Sequence, residues 1–138
     1  MDDSNAPPKK HLFTKMNYLL DLDHLQGLEA IAPMGDVEKF MSDLCVLFLK
    51  GAPMRIQELD EALKKAEFKG ITGASYQLRG LCSSIGAKYL VDLCQQMELA
   101  TTGKNLPLCR TIGEQLKDSF LVTRDQVQAY NAQLPKKS

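Results

Sequence analysis

Apolar side chains recur at every third or fourth position through most of this chain, and no stretch alternates apolar with polar residues long enough to demand a strand. That period commits the chain to helices that each bury one stripe, and the fold class it predicts is all-α. Val37, Phe40, Met41, Leu44, Leu47 and Phe48 share one side of a segment that Asp36 is placed to cap. The spacing resumes with Ile56, Leu59 and Leu63, but Pro53 intervenes. Lacking an N–H and clashing with the preceding turn, Pro53 predicts a kink or a break between two helices. Phe68, Lys69 and Gly70 read as a connection to the next segment.

Further stripes run through Leu90, Leu93, Cys94, Met97 and Leu99, and through Leu108, Ile112, Leu116, Phe120, Val127 and Tyr130. The polar run Thr101-Thr102-Gly103-Lys104-Asn105 separates them as a loop. Two shorter segments come first: Lys9 to Leu20, carrying Leu12, Met16, Leu19 and Leu20, and Asp23 to Ile31, carrying Leu25, Leu28 and Ile31 and ended by Pro33 and Gly35. The expected architecture is an antiparallel four-helix bundle over about 36–134 with two short N-terminal helices. A chain of 138 residues holds one core comfortably, so a single domain over 9–134 is expected, with residues 1–8 and 135–138 as disordered or flexible ends.

Charge and cysteine usage exclude several classes. Lys plus Arg equals Asp plus Glu, 17 each, so no global field attracts nucleic acid or an anionic membrane. The start MDDSNAPPKK is followed by no long apolar run, which predicts neither a secretory signal nor a membrane span. Cys45, Cys82, Cys94 and Cys109 form no C-x-x-C pair and no histidines cluster near them, which argues against a metal site. They read as buried thiols in a reducing compartment, although their even number leaves disulfides open. No nucleotide loop or hydrolase triad is present, and no cofactor is expected.

The segment GASYQLRGLCSSIGA, Gly73 to Ala87, places one large phenol among small residues. With about 100° of rotation per residue, Ile71, Ala74, Ser75, Leu81, Cys82 and Ile85 fall within roughly 60° of Leu78 and define a core face. Tyr76 lies about 160° from Leu78, and its outer-face neighbours are Gly73, Gly80, Ser83 and Ala87. Glycine inside a helix costs about 0.5–1 kcal/mol relative to alanine, and close approach of another surface would compensate it. Alternatively Gly73 and Gly86 mark helix ends and Tyr76 is an ordinary exposed aromatic. Gly80, one turn past Tyr76, resists that second reading. The outer aromatic patch is small, and a monomer is expected.

The run Tyr76-Gln77-Leu78-Arg79-Gly80-Leu81-Cys82-Ser83-Ser84-Ile85-Gly86-Ala87 resembles the active-site helix of histidine-containing phosphotransfer proteins, especially those of plant cytokinin phosphorelays. The family pattern reads histidine, glutamine, leucine, lysine, glycine, a row of serines, then isoleucine or valine, glycine and alanine. Gln77, Leu78, Gly80 and Ser83 to Ala87 match it; Arg79 replaces lysine, Leu81 and Cys82 replace serines, and the phosphorylatable histidine falls on Tyr76.

The resemblance implies a bundle that meets receiver domains of sensor histidine kinases and response regulators, in the cytoplasm and nucleus. In the family the histidine accepts a phosphoryl group from one aspartate and passes it to another, because a neutral imidazole nitrogen is nucleophilic near pH 7. A phenol, titrating at about 10, is protonated there, and its phosphate ester is a poor donor. His11 and His24 lie outside the motif. The expectation is a pseudo-phosphotransfer protein, without catalytic residue or metal, whose receiver-binding face uses Tyr76, Gln77, Arg79, Gly80 and Ser83. Arg79 either meets the receiver's acidic pocket or stands as a solvated charge. Leu12, Met16, Leu19, Leu25 and Leu28 either extend that face or pack onto the bundle, with packing as the default. The alternatives are an active carrier with another nucleophile, a tyrosine variant of an active carrier, and a helical adaptor with an unrelated partner.

Overall fold

Five helices account for nearly all of residues 21–32 and 36–134, which are the residues described by the computed structural model. They are α1 (Leu22–Ile31), α2 (Val37–Lys65), α3 (Phe68–Ile85), α4 (Lys88–Thr102) and α5 (Leu106–Gln133), with no strand among the described residues. The expected first segment, Lys9 to Leu20, lies outside the described residues, as do residues 1–8 and 135–138. So do the expected stop signals Pro33 and Gly35.

From α2 to α5, connections of two or three residues leave consecutive helices no option but to fold back on one another. Contacts join α2 to α3, α3 to α4, α4 to α5 and α5 back to α2, which closes an antiparallel four-helix ring. Each turn has a local cause. After α2, Ala66 takes the left-handed conformation and its N–H bonds to Ala62 O and Leu63 O. After α3, Gly86 does the same at φ 79°, a value that suits glycine. Asn105 caps α5 by accepting from Leu108 N at 3.1 Å. Asp36 stands at the N-cap of α2, as expected, but makes no side-chain capping bond.

The core fills the ring with Met41, Phe48, Leu59, Ile71, Leu78, Leu90, Met97, Leu116 and Val127 among others, all essentially without solvent contact. Phe48 and Phe120 bring their ring centroids to 5.8 Å. All four cysteines are buried free thiols. Burial pushes Cys45 up to about 11, and the Cys94 hydrogen bond, then burial, hold Cys82 well above the usual thiol range. Where α2 and α5 cross, a Cβ on Gly113 would lie 2.7 Å from Leu63 Cδ1, so the close approach depends on the missing methyl.

Several expectations are corrected. Of the kink or break expected at Pro53, the break does not occur: α2 is continuous across it. Pro53 points to solvent, so water can satisfy the carbonyl it leaves without a donor, while buried Phe48, Ala52 and Leu59 hold both halves to the core. Phe68 to Gly70 form the first turn of α3, and the connection is Ala66 and Glu67. Thr101 and Thr102 end α4, leaving Gly103 to Asn105 as the loop. Leu47, Leu99, Leu108 and Ile31, read as members of buried stripes, are exposed, Leu99 by 73% and Leu47 by 55%.

Short α1 straps one end of the bundle. Leu25 is buried beneath it, Asp21 N donates to Gly86 O at 2.6 Å, and the Tyr130 hydroxyl donates to the Glu29 carboxylate. Burial and then that carboxylate push the Tyr130 phenol far above its usual range. Among the described residues, no helix is long and apolar enough to cross a membrane.

Because Pro53 interrupts an otherwise regular exposed stripe, Pro53→Ala should raise the unfolding free energy by roughly 1–3 kcal/mol, the gain of one backbone bond less the added freedom of the unfolded chain. Urea titration monitored by helical circular dichroism measures it; an unchanged or lowered midpoint would mean that the helix is interrupted there.

Candidate functional site

One face of α3 is committed to the core: Ile71, Ala74, Ser75, Leu78, Cys82 and Ile85 are buried. A helix that seals this stripe against α2, α4 and the ring interior must turn the opposite stripe outward. Tyr76 is accordingly 63% exposed, and Gln77, Gly80 and Ser83 are exposed with it. Two placements differ from expectation. Leu81 is only half-buried, and Ala87 is fully buried, because the helix ends at Ile85 and Gly86 reverses the chain before Ala87 reaches the outer face.

The glycines divide by what surrounds them. Gly86 caps the helix in the left-handed region, so its role as an end marker holds. Gly73 lies inside α3 and marks no end. A Cβ on Gly73 or Gly80 would meet nothing within 4 Å. Internal packing therefore gives no reason for either glycine, and the propensity each gives up is left to be explained from outside the bundle. Gly51 of α2 is different: its Cβ would come within 3.0 Å of Leu81 Cδ1, so the missing methyl seats Leu81.

Arg79 carries the strongest electrostatics of the face. Its Nε donates to Glu98 Oε2 at 2.8 Å and its Nη2 to Glu98 Oε1 at 3.4 Å, tying α3 to α4. The Glu98 hydrogen bond and charge raise Arg79 above its ordinary value. Its Cζ also lies over the Tyr76 ring, 5.3 Å from the centroid. A solvated charge without partner, one of the two readings left open, does not describe it. On the other flank Arg55 of α2 donates to Gln77 Oε1 and, at 3.1 Å, to Glu58 Oε1. Neither Glu98 nor Arg55 was legible as a partner, since pairing across helices depends on a register that spacing along the chain does not carry.

Ser83 borders a shallow groove with Asp21, His24, Lys88 and Asp92. His24 is partly buried, and its Nε2 stands 3.1 Å from Ser84 O. A carbonyl only accepts, so Nε2 holds the proton in that contact and has no lone pair to offer. His11 lies outside the described residues. Among the described residues, nothing accepts a hydrogen bond from the Tyr76 hydroxyl, and no group of histidine, cysteine or carboxylate side chains is placed to hold a metal. Beyond Leu81, the α2 flank continues as exposed Leu47 and Met54 beside Gly51.

The family model of the Hpt domain matches residues 43–130, from α2 through most of α5. The chain belongs to the Hpt domain family. Its fold is shared with two solved structures. One is histidine-containing phosphotransfer protein B from Pseudomonas aeruginosa PAO1, with TM-score 0.76 and 20% identity over 85% of this chain and 97% of that one. The other is a putative histidine-containing phosphotransfer protein from rice, with TM-score 0.74 and 23% identity over 89% of this chain and 88% of that one. No match was found among the curated proteins. Family membership associates this Hpt chain with two-component phosphorelays.

The open surroundings of Gly80 fix the sign of a substitution there. Gly80→Ala should stabilise the Hpt bundle by about 0.5–1 kcal/mol, whereas Gly86→Ala, forced to positive φ against His24, should destabilise it by about 1–2 kcal/mol. Thermal melts of the two variants make the comparison, and a destabilised Gly80→Ala would show that the glycine serves the fold after all.

Proposed function

We propose that this chain is a pseudo-histidine phosphotransfer protein, which binds receiver domains of a two-component phosphorelay without carrying phosphate and competes there with active carriers. The observation that carries the reading is Tyr76, a phenol on the exposed face of α3 at the motif position of the phosphorylatable histidine. The cytokinin-type relay, and a place in cytoplasm and nucleus, follow from the motif resemblance.

The chemistry supports loss of transfer. Accepting a phosphoryl group from an aspartyl phosphate breaks the bond between phosphorus and the carboxylate oxygen and forms one to the nucleophile. A phenol must also give up its proton. Among the described residues no base is hydrogen-bonded to Tyr76, and Glu98 already spends both oxygens on Arg79. An aryl phosphate ester, once formed, would hold its phosphoryl group far more firmly than a phosphoramidate. His24 lies on α1 outside the motif, with Nε2 held on Ser84 O and only Nδ1 left with a lone pair.

Retention of docking has separate support. Tyr76 lies outside the core, so replacing a histidine there leaves the bundle undisturbed. Gly73 and Gly80 keep the face low without any internal need to do so, and Leu47 and Met54 add exposed apolar area along its edge. Gln77, Gly80 and Ser83 remain exposed for a partner, while Arg79 meets one only together with Glu98.

A phosphotransfer assay with a labelled receiver domain, on this chain and on Tyr76→His with binding followed in parallel, tests both halves. The expected result is binding of both proteins at micromolar concentration or tighter and label on the histidine variant alone. Label on any histidine of the unaltered chain would make it an active carrier, and absence of binding by either would make it a helical adaptor for another partner.

A further inference from the structure

Arg79, which lies over the Tyr76 ring, and Arg55, which bonds to neighbouring Gln77, are both matched to carboxylates from within the bundle. Arg79 engages Glu98 through two nitrogens, the two side chains being 31% and 26% exposed, and Arg55 engages Glu58 at 3.1 Å. The guanidinium of Arg79 is further held on one side by the Tyr76 ring at 5.3 Å. Around Tyr76 the outer face of α3 thus presents a phenol, small residues and an arginine already matched to a carboxylate, with exposed Lys69 two turns away at the start of the helix.

A free cation at this position would sense the charge state of whatever docks. Phosphorylation of a receiver's aspartate replaces one negative charge by a larger one, and a lone guanidinium gains Coulomb energy from the difference. A guanidinium already matched to a carboxylate at hydrogen-bond distance gains little, because the attraction to one member of the pair is offset by repulsion from the other. Breaking the pair to free the arginine would strand Glu98 beside the same anionic partner.

We propose that Glu98 is a specificity-determining residue: by occupying Arg79 it makes the docking face indifferent to the phosphorylation state of the receiver. The proposal rests on the receiver-binding reading and deepens it. A competitor built this way occupies resting and phosphorylated receivers alike, and so withholds receivers from active carriers throughout the relay. Glu98 touches no reacting atom; it acts through Arg79.

The test measures affinity of the full chain, Glu98→Gln, and the double variant Arg79→Ala/Glu98→Gln for one receiver domain of a sensor histidine kinase. Each is titrated with magnesium alone and with magnesium plus beryllofluoride, which mimics the aspartyl phosphate. The unaltered chain should bind the two forms within about twofold of each other. Glu98→Gln, checked for folding by circular dichroism and a thermal melt, should favour the beryllofluoride form by about fivefold or more with a steeper salt dependence, and the double variant should return to the flat response.

Discrimination of fivefold or more by the unaltered chain would overturn the proposal, as would a flat response from folded Glu98→Gln or a preference that survives in the double variant. Failure of every protein to bind either form would instead remove the receiver-binding reading itself, an outcome separable from the others because no affinity remains to compare.

Discussion

Burial of one stripe of α3 is the constraint from which the rest follows. Ile71, Leu78, Cys82 and Ile85 reach the interior of a ring in which α3 touches both α2 and α4. With its core stripe fixed, the helix has no rotational freedom left, and residues about half a turn around the axis must face water. Tyr76 is exposed because Leu78 is not. The same rotation carries Arg79 toward α4, where Glu98 receives it, and Gln77 toward α2, where Arg55 does. Site geometry in this protein is a by-product of core packing, set before any property of the tyrosine enters.

The glycines separate packing from surface demand. Gly51, Gly70 and Gly113 sit where a methyl would press on Leu81, on Ala62 or on Leu63, so the bundle itself needs them small. Gly73 and Gly80 face open space in the same helix that displays Tyr76. A propensity cost that no internal contact offsets is the kind of local inconsistency that marks a functional surface. Leu81 shows how the two demands meet: the sequence departs there from the family's serine, and Gly51 on the neighbouring helix provides the room.

The order of the helices over the described residues and the outward direction of Tyr76 were legible because each rests on a period within one segment. What failed did so either because spacing along one helix does not fix the angle around it or because the partner lies on another segment. Leu47 lies about 120° from the centre of the α2 stripe and Leu99 roughly opposite the α4 stripe, angles that turn both toward solvent although their spacing is helical. Of the kink or break expected at Pro53, the break does not occur, because a helix of 29 residues with core contacts on both sides of the proline carries it at a solvent-facing turn. Arg79 was visible as a cation and its ion pair was not, since Glu98 lies 19 positions away on a different helix. The strap formed by Glu29 and Tyr130, 101 positions apart, was hidden for the same cause.

Placing the reactive residue on the outer face uncouples chemistry from folding. Tyr76 is 63% exposed and outside the core, so an exchange at position 76 leaves the buried contacts of the bundle unchanged. Position 79 is not free in the same way. Its side chain spans to α4 and lies on the Tyr76 ring, so the charge at the centre of the face is set jointly by residues of two helices. Restoring a histidine at position 76 would return a nucleophile to the outer face but would remove the phenol from beside the guanidinium, leaving Glu98 as the group that decides whether Arg79 is available to a phosphoryl oxygen. The motif therefore shows whether position 76 carries a nitrogen nucleophile, while the pairing of Arg79 is set by Glu98 on another helix, which the motif does not show.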